Sequence, residues 1–511
     1  MDITRLIKSI VIGLVALFLC LYIGIGAATA QKETVMKITL VVGGLVCIAM
    51  GNRIWLLLPF AQFSHVTILR GFSFYEMAQM IFIGMCVIMF LMRRLTITVK
   101  FGEMDKWTAA VLFCLLQSYV RAPVGLNVFG AEVVGGRPYF LIIIGVMASW
   151  ILGNYNIRSG DLKLAMWLNI LGVFASMPMN KLRWGSFSGG GGGSTSDYSA
   201  ANVYTYGQGG ASRDGGLGVY AVLISKIICS RISPLKAAFH PALAPIVLFS
   251  LYLAAASGFR NSVGHVGLVY IVGVIYRGGL GQTLLSFVVF AFLLAVLSFA
   301  NLVKPFPPNV QRTLTVFPGT WEERYKNDAA ASTEWRVTMW EKAIFTDKYI
   351  ENKVIGDGLG ITRQQMRDML EEEQRGSGMG SDGLTGQQRN MMIAGGYHSG
   401  PVETIRAVGY TGLAVFLLAM FRLAVHAHRQ IMRCKGTEWY PVALFFGIPA
   451  IVHPLFWTFL FGAYGEGVVT YLFGVAIIKL MQHNLPLPAY VPRSNRTYQP
   501  LLHRQAGPQA V

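Results

Sequence analysis

Apolar runs without a polar face recur along the whole chain, at residues 10–28, 139–152, 243–256, 284–300 and 412–424. With their flanking residues, each approaches the roughly 20 needed to cross the hydrocarbon core of a bilayer. A helix lying on a soluble core would carry polar residues at helical period, and these do not. By length alone, 511 residues could form roughly three soluble domains. Composition removes that option, because the chain is 54% hydrophobic and only 13% charged, whereas a soluble domain is about one-quarter charged. The expected fold class is an all-α polytopic membrane protein.

A formal net charge of +18 would suggest a nucleic-acid partner if it were spread over a folded surface. It is not. Residues 301–400 hold 12 Lys/Arg and 13 Asp/Glu, and the rest of the chain holds 31 and 12. The excess sits in short segments: Arg93 and Arg94, Arg231 and Lys236, Arg429, Arg433 and Lys435, then Arg493 and Arg496. Basic loops of this kind are retained in the cytoplasm. No nucleic acid is expected as a partner; membrane lipids are. Cys20, Cys47, Cys86, Cys114, Cys229 and Cys434 form no CxxC pair and fall in expected spans or a cytoplasmic loop. They suggest neither a disulfide framework nor a zinc site. Arg5, Lys8, an apolar run and Ala28-Thr29-Ala30 have the outline of a signal peptide. An uncleaved first span is the preferred reading, because so many spans follow.

Holding segment 426–435 in the cytoplasm places residues 301–400 outside. Working backwards, Arg277 is inside, Arg260 at the outer surface, Lys236 inside and the glycine-rich stretch 181–216 outside. Arg158 and Lys163 are inside, residues 121–136 outside and residues 93–106 inside. Residues 37–60 could form one span, for 13 in all. Alternatively, 36–50 and 55–68 could be two short spans turning at Asn52-Arg53, for 14. The second is preferred because it puts Arg5 and Lys8 inside. The expected organisation is an N-terminal transmembrane bundle (1–180), a Gly-rich outer loop (181–216), central transmembrane helices (217–300), a large outer loop with short helices (301–401), C-terminal transmembrane helices (402–481) and a basic cytoplasmic tail (482–511). In the large loop, Pro305, Pro307 and Pro308 end the preceding span. Ser332 or Thr333 is read as the cap of a helix over 334–349. A second helix is expected over 362–375, before the Gly/Ser-rich stretch 376–386.

Three outer features could carry chemistry. Ser257-Gly258-Phe259-Arg260 ends one span and begins the next, Arg336 lies in the first loop helix, and Tyr397-His398-Ser399-Gly400 precedes a span. An arginine is always ionised and can hold a phosphate bidentately. Two could grip a pyrophosphate whose lipid tail stays in the bilayer. A histidine, with an unperturbed pKa near working pH, can orient or accept the proton of an attacking hydroxyl. Each residue alone has a plainer reading: Arg260 as an interfacial anchor, Arg336 paired with Glu334 or Glu341, His398 as structural. Arg183 and Arg213, in the earlier outer loop, are further candidates for glycan or phosphate contact.

The order of these features resembles the O-antigen ligase/O-antigen polymerase family, which includes membrane oligosaccharyltransferases. The matches are Ser257 to Arg260 for an arginine at a span end, and Arg336 through Trp340 for an R-x-x-x-W segment. Gly356-Asp357-Gly358-Leu359-Gly360 matches a glycine turn, and His398 with Glu403, Gly409 and Gly412 matches an H-N-x-x-x-E segment before paired glycines. Departures are Ser399 after the histidine, Lys353-Val354-Ile355 without the turn proline, and Phe259 before Arg260. The resemblance covers residues 185–425. It implies a GT-C-like fold of 10 to 14 spans, a range that holds the 13 or 14 counted above, in a bacterial inner membrane with the active site facing the periplasm. Arg260, Arg336 and His398 would be catalytic; Arg183, Arg213, Trp340 and Glu403 would bind substrate. The implied donor is a polyprenyl-pyrophosphate-linked glycan, and the acceptor a glycan or lipid. No metal or cofactor is implied; a flippase and a chain-length regulator are implied partners.

The competing class is a lipid or polysaccharide transporter or flippase. Transporters place ionisable residues at the membrane midplane or show paired broken spans. Glu76 and Glu466 are nearly the only acids in the apolar runs and are placed near span ends; a large outer loop with clustered arginines and a histidine fits surface chemistry better, which favours an enzyme.

Overall fold

A computed structural model describes residues 43–44, 46–64, 67–69, 72–95, 97–125, 134–181, 213–374 and 386–485. The first apolar run, residues 189–193, Arg183, most of the stretch 376–386, and Arg493 and Arg496 lie outside the described residues.

The fold is helical. A 3-10 turn, Gly51–Leu56, leads into α1 (Leu57–Ala61), followed by the short antiparallel strands β1 (Thr67–Leu69) and β2 (Phe72–Ser73). Then come α2 (Phe74–Leu91), α3 (Glu103–Arg121), α4 (Arg137–Gly153), α5 (Ser159–Lys181) and α6 (Gly215–Arg231). The short α7 (Pro234–Ala238) precedes α8 (Ala244–Ala256) and α9 (Arg260–Val303), the last broken at Gly279 by non-helical backbone (φ +75°, ψ −175°). Between α9 and the last three helices lie α10 (Pro308–Leu314), α11 (Glu323–Phe345), α12 (Arg363–Gln374) and α13 (Gly386–Ala394). The chain closes with α14 (Gly400–Cys434), α15 (Tyr440–Phe459) and α16 (Tyr464–Asn484). Five of these, α2, α9, α14, α15 and α16, are long and apolar enough to cross a membrane; Val46–Ala61, α4 and α8 are shorter apolar helices.

The centre of the bundle is α15 and α16, with 56% and 72% of their most apolar windows buried, against 6% for α9 at the periphery. Lipid offers no hydrophobic force between helices, so close approach and interhelical hydrogen bonds must do that work. Gly172 of α5 lets the Phe60 carbonyl of α1 come within 1.9 Å of where a Cβ would stand. Ser149 Oγ donates to the Leu472 carbonyl at 2.6 Å, joining α4 to α16. Lys479 Nζ and Asp105 Oδ1, both nearly inaccessible, pair at 2.6 Å and join α16 to α3.

Several boundaries differ from expectation. Val46–Ala61 is one helix with a left-handed kink at Gly51, and Asn52-Arg53 lies inside it rather than at a turn between two spans. Residues 55–68 are not a span, because the helix ends at Ala61 and β1 follows. Segment 426–435, expected to be a cytoplasmic loop, is helical through Cys434; Arg429 and Arg433 sit in the last turns, where positive charge suits the helix C-terminus. The loop helix starts at Glu323, before the expected cap. Ala329, Ala330 and Ala331 are strong helix formers, and Thr333 Oγ1 donates back to the Ala329 carbonyl at 3.1 Å instead of capping. The second loop helix matches expectation closely: Thr362 and Gln365 exchange reciprocal side-chain to backbone bonds at its start.

Segments read as being on one side gather together. On the expected inner side, Lys163 Nζ meets Glu438 Oε2 at 2.6 Å and lies over the Trp439 ring, and Tyr276 Oη meets His428 Nδ1 at 2.7 Å. On the expected outer side, Gly135 N donates to the Ile361 carbonyl at 3.0 Å and Arg121 Nη2 to the Ile355 carbonyl at 2.8 Å.

Candidate active site

Arg260 and Arg336 meet on α11. Arg260, at the start of α9, donates from Nη2 to Thr333 Oγ1 at 3.1 Å. Thr333 and Arg336 are three residues apart on one helix and so share a face. Neither Arg260 nor Arg336 forms a salt bridge with a carboxylate among the described residues, although the charge of Asp328, itself paired with Arg312, acts on Arg260, and Nε of Arg336 is buried without a hydrogen-bond partner. Burial, together with the charges of Arg260, Arg213 and Arg312, pushes the Arg336 guanidinium down to about 10. It remains charged at neutral pH. The plainer reading, a partnership with Glu334 or Glu341, is not what the geometry gives.

The turn carrying Arg260 is fixed by a residue that no local pattern marks. Gly258 takes φ +74°. Arg312, 4% exposed in α10, donates from Nη1 to the Gly258 carbonyl at 2.8 Å and pairs through Nε with Asp328 of α11. It thus sets the distance between the end of α8 and the helix that bears Arg336.

His398 sits in the left-handed region at φ +50°, one of two non-glycine residues with positive φ among those described. Such a conformation costs on the order of 1–3 kcal/mol and persists only where its neighbours impose it. Trp340 Nε1 donates to the Tyr397 carbonyl at 2.7 Å, and Tyr397 N donates to Glu403 Oε1 at 3.1 Å. On the other flank, the Ser399 carbonyl accepts from Glu403 N at 3.0 Å. The imidazole stacks on Phe461 at 5.8 Å and meets the Trp335 edge at 6.0 Å; Arg336 lies 5.9 Å from the Trp335 centroid. Burial first, then Arg336 and Arg213, pushes this imidazole from 6.5 down to about 4. It is neutral at physiological pH and offers a lone pair.

Behind His398, α14 is broken. Gly409 has φ +72°, ψ −178°, so a short segment precedes the long apolar helix. The glycine turn fills that break: Asp357 N donates to the Arg406 carbonyl at 2.6 Å, and Tyr410 N to the Lys353 carbonyl at 2.8 Å. Arg406 braces the turn from Nη1 to the Gly358 carbonyl at 3.2 Å and from Nη2 to the Ile393 carbonyl at 3.0 Å. Tyr139 Oη accepts from Leu359 N at 2.7 Å.

Of the residues singled out in the sequence, Arg260, Arg336 and His398 come together. Arg213 joins them, its guanidinium 6.0 Å from the Phe259 centroid. Trp340 and Glu403 stand beside His398 with their polar atoms engaged by backbone. Sequence reasoning gave no role to Trp335, Phe461, Arg312 or Arg406. Only Trp335 carried a local signal, as an aromatic next to Arg336. No group of three His, Cys, Asp or Glu that could hold a metal ion occurs among the described residues.

No protein-family model matches the chain, and a comparison with curated proteins gives no match.

Proposed function

We propose that the protein is an inverting, metal-independent membrane glycosyltransferase acting at the outer face of a bacterial inner membrane. The donor is a polyprenyl-pyrophosphate-linked glycan and the acceptor a hydroxyl of a glycan or lipid. The observation that carries this reading is the meeting of Arg260 and Arg336, without a salt bridge to a carboxylate among the described residues, beside a neutral His398. The acceptor oxygen attacks the anomeric carbon and forms the new glycosidic bond. The bond from that carbon to the pyrophosphate oxygen breaks, its electrons leave with the pyrophosphate, and the arginines take up the charge. His398 orients the hydroxyl and receives its proton. A pyrophosphate seated against Arg336 and Arg213 would oppose their effect on the imidazole, so donor binding itself would raise the basicity of His398.

Polymerase is favoured over ligase, because Ser399 stands after the histidine and the outer loop carries no added domain for a protein acceptor. In cells lacking the chain, single repeat units on the polyprenyl lipid would mark a polymerase. Full-length lipid-linked polymer would mark a ligase, and unchanged lipid-linked pools would contradict both.

A transporter calls for ionisable groups at the midplane. Among the described residues, the buried Asp and Lys/Arg side chains of the longer helices, namely the Asp105–Lys479 pair, Lys226, Arg137, Asp161 and Arg406, lie within two turns of a helix end. That placement fits helix anchoring better than a translocation path.

A further inference from the structure

We propose that Glu403 is a positioning residue for His398, and that it acts by fixing two separate backbone segments rather than by touching substrate. This rests on the transfer reading given above for the role of His398, but the geometry stands without it. The two carboxyl oxygens are both occupied: Oε1 accepts from Tyr397 N and Oε2 from Tyr464 N, each at 3.1 Å. The first bond holds the residue immediately before His398. The second holds the first residue of α16, whose own N-cap position is Ala463 and offers no side-chain acceptor. A helix start without a cap leaves N–H groups unsatisfied, and Glu403 supplies the acceptor from a different helix.

The two anchored segments are the ones that define the imidazole's surroundings. Tyr397 is clamped on both backbone groups, by Glu403 at its N–H and by Trp340 at its carbonyl. His398 follows directly in the left-handed conformation, which persists only where its neighbours impose it. The loop just before Tyr464 carries Phe461, whose ring stacks on the imidazole at an interplanar angle of 26°. One side chain therefore registers the histidine against the surface it stacks on. The His398 N–H also points to this carboxyl group, so its acceptor sites are turned towards backbone that frames the imidazole.

The test uses the full chain, purified and reconstituted in lipid vesicles. Glu403→Gln keeps one acceptor and presents an NH2 group to the other backbone N–H. Carbethoxylation of His398 by diethylpyrocarbonate, read by peptide mass, should become on the order of tenfold faster, the factor expected when a hydrogen bond to a buried group is lost. Turnover on polyprenyl-pyrophosphate glycan should fall while the donor KM stays near wild type, because the arginines are untouched. Unchanged His398 reactivity in a folded Glu403→Gln protein, or a rise in donor KM with turnover kept, overturns the positioning role. If Glu403→Gln does not fold, Glu403→Asp keeps the carboxylate and shortens its reach to Tyr397 N and Tyr464 N; the same rise in His398 reactivity is expected, and unchanged reactivity overturns the role. If the wild-type protein transfers no glycan, the transfer reading falls and the reactivity measurement still decides the role of Glu403.

Discussion

Gly356 and Gly409, on different elements, face one another at a distance that admits no side chain. A Cβ on Gly356 would stand 2.5 Å from the Gly409 nitrogen, and one on Gly409 would stand 2.2 Å from the Val354 carbonyl oxygen. Both have positive φ, +78° and +72°. The outer turn and the break in α14 are thus one joint, and His398 and Glu403 sit on its short arm.

Gly356→Ala or Gly409→Ala should therefore destabilise the protein by well more than the roughly 0.5 kcal/mol of an ordinary surface change, since strain and overlap with backbone add. Gly267→Ala, with open space around it, is the control. Thermal unfolding in detergent should drop for the first two and stay near wild type for the third. Equal melting of all three would show that the joint yields easily.

The acid behaviour of His398 follows from its surroundings. The folded imidazole titrates near 4 and an unperturbed one at 6.5, so between those values the unfolded chain binds the extra proton. Its contribution to stability is unaffected above about 6.5 and is lost progressively as pH falls towards 4. The pH dependence of His398 carbethoxylation should show a midpoint well below 6.5. It should move upward in Arg336→Met and on adding inorganic pyrophosphate. A midpoint at 6.5 that neither change moves would mean that the arginines do not face the ring.

Sidedness can be read with single cysteines at Glu351 and Lys435, both exposed, in a background lacking the native six. An impermeant reagent should label position 351 in intact cells and position 435 only after lysis. The reverse pattern would put the arginines and His398 on the cytoplasmic side and remove the proposed lipid-linked donor.

Arg260→Lys and Arg336→Lys keep the charge and lose the planar fork. Glycan product should fall strongly in both while membrane abundance is maintained. Full activity in both would make these arginines interfacial anchors.

The helical membrane class was legible because apolar runs of span length have few other uses. Ser257 to Arg260, the glycine turn and the His398 segment were legible because their chemistry is local: a span end, three left-handed glycines, a histidine before a helix. The start of α11 was misplaced because Ser332 and Thr333 look like caps, whereas Ala329 to Ala331 carry the helix straight through them. Arg312 and Arg406 were invisible because their partners, Gly258, Asp328, Gly358 and Ile393, come from other segments. The role of Glu403 was hidden for the same reason, since Tyr464 belongs to a helix beyond the next span.

The most direct test of the central claim is transfer by the purified protein in vesicles supplied with polyprenyl-pyrophosphate-linked glycan. Wild type should form longer glycan, or glycan on a new acceptor. His398→Ala should still bind donor through the arginines and lose transfer by about 10²–10⁴-fold, the usual contribution of a positioned base. Transfer at the wild-type rate by His398→Ala, or none by wild type with donor and acceptor present, would contradict the assignment of this site to glycosyl transfer.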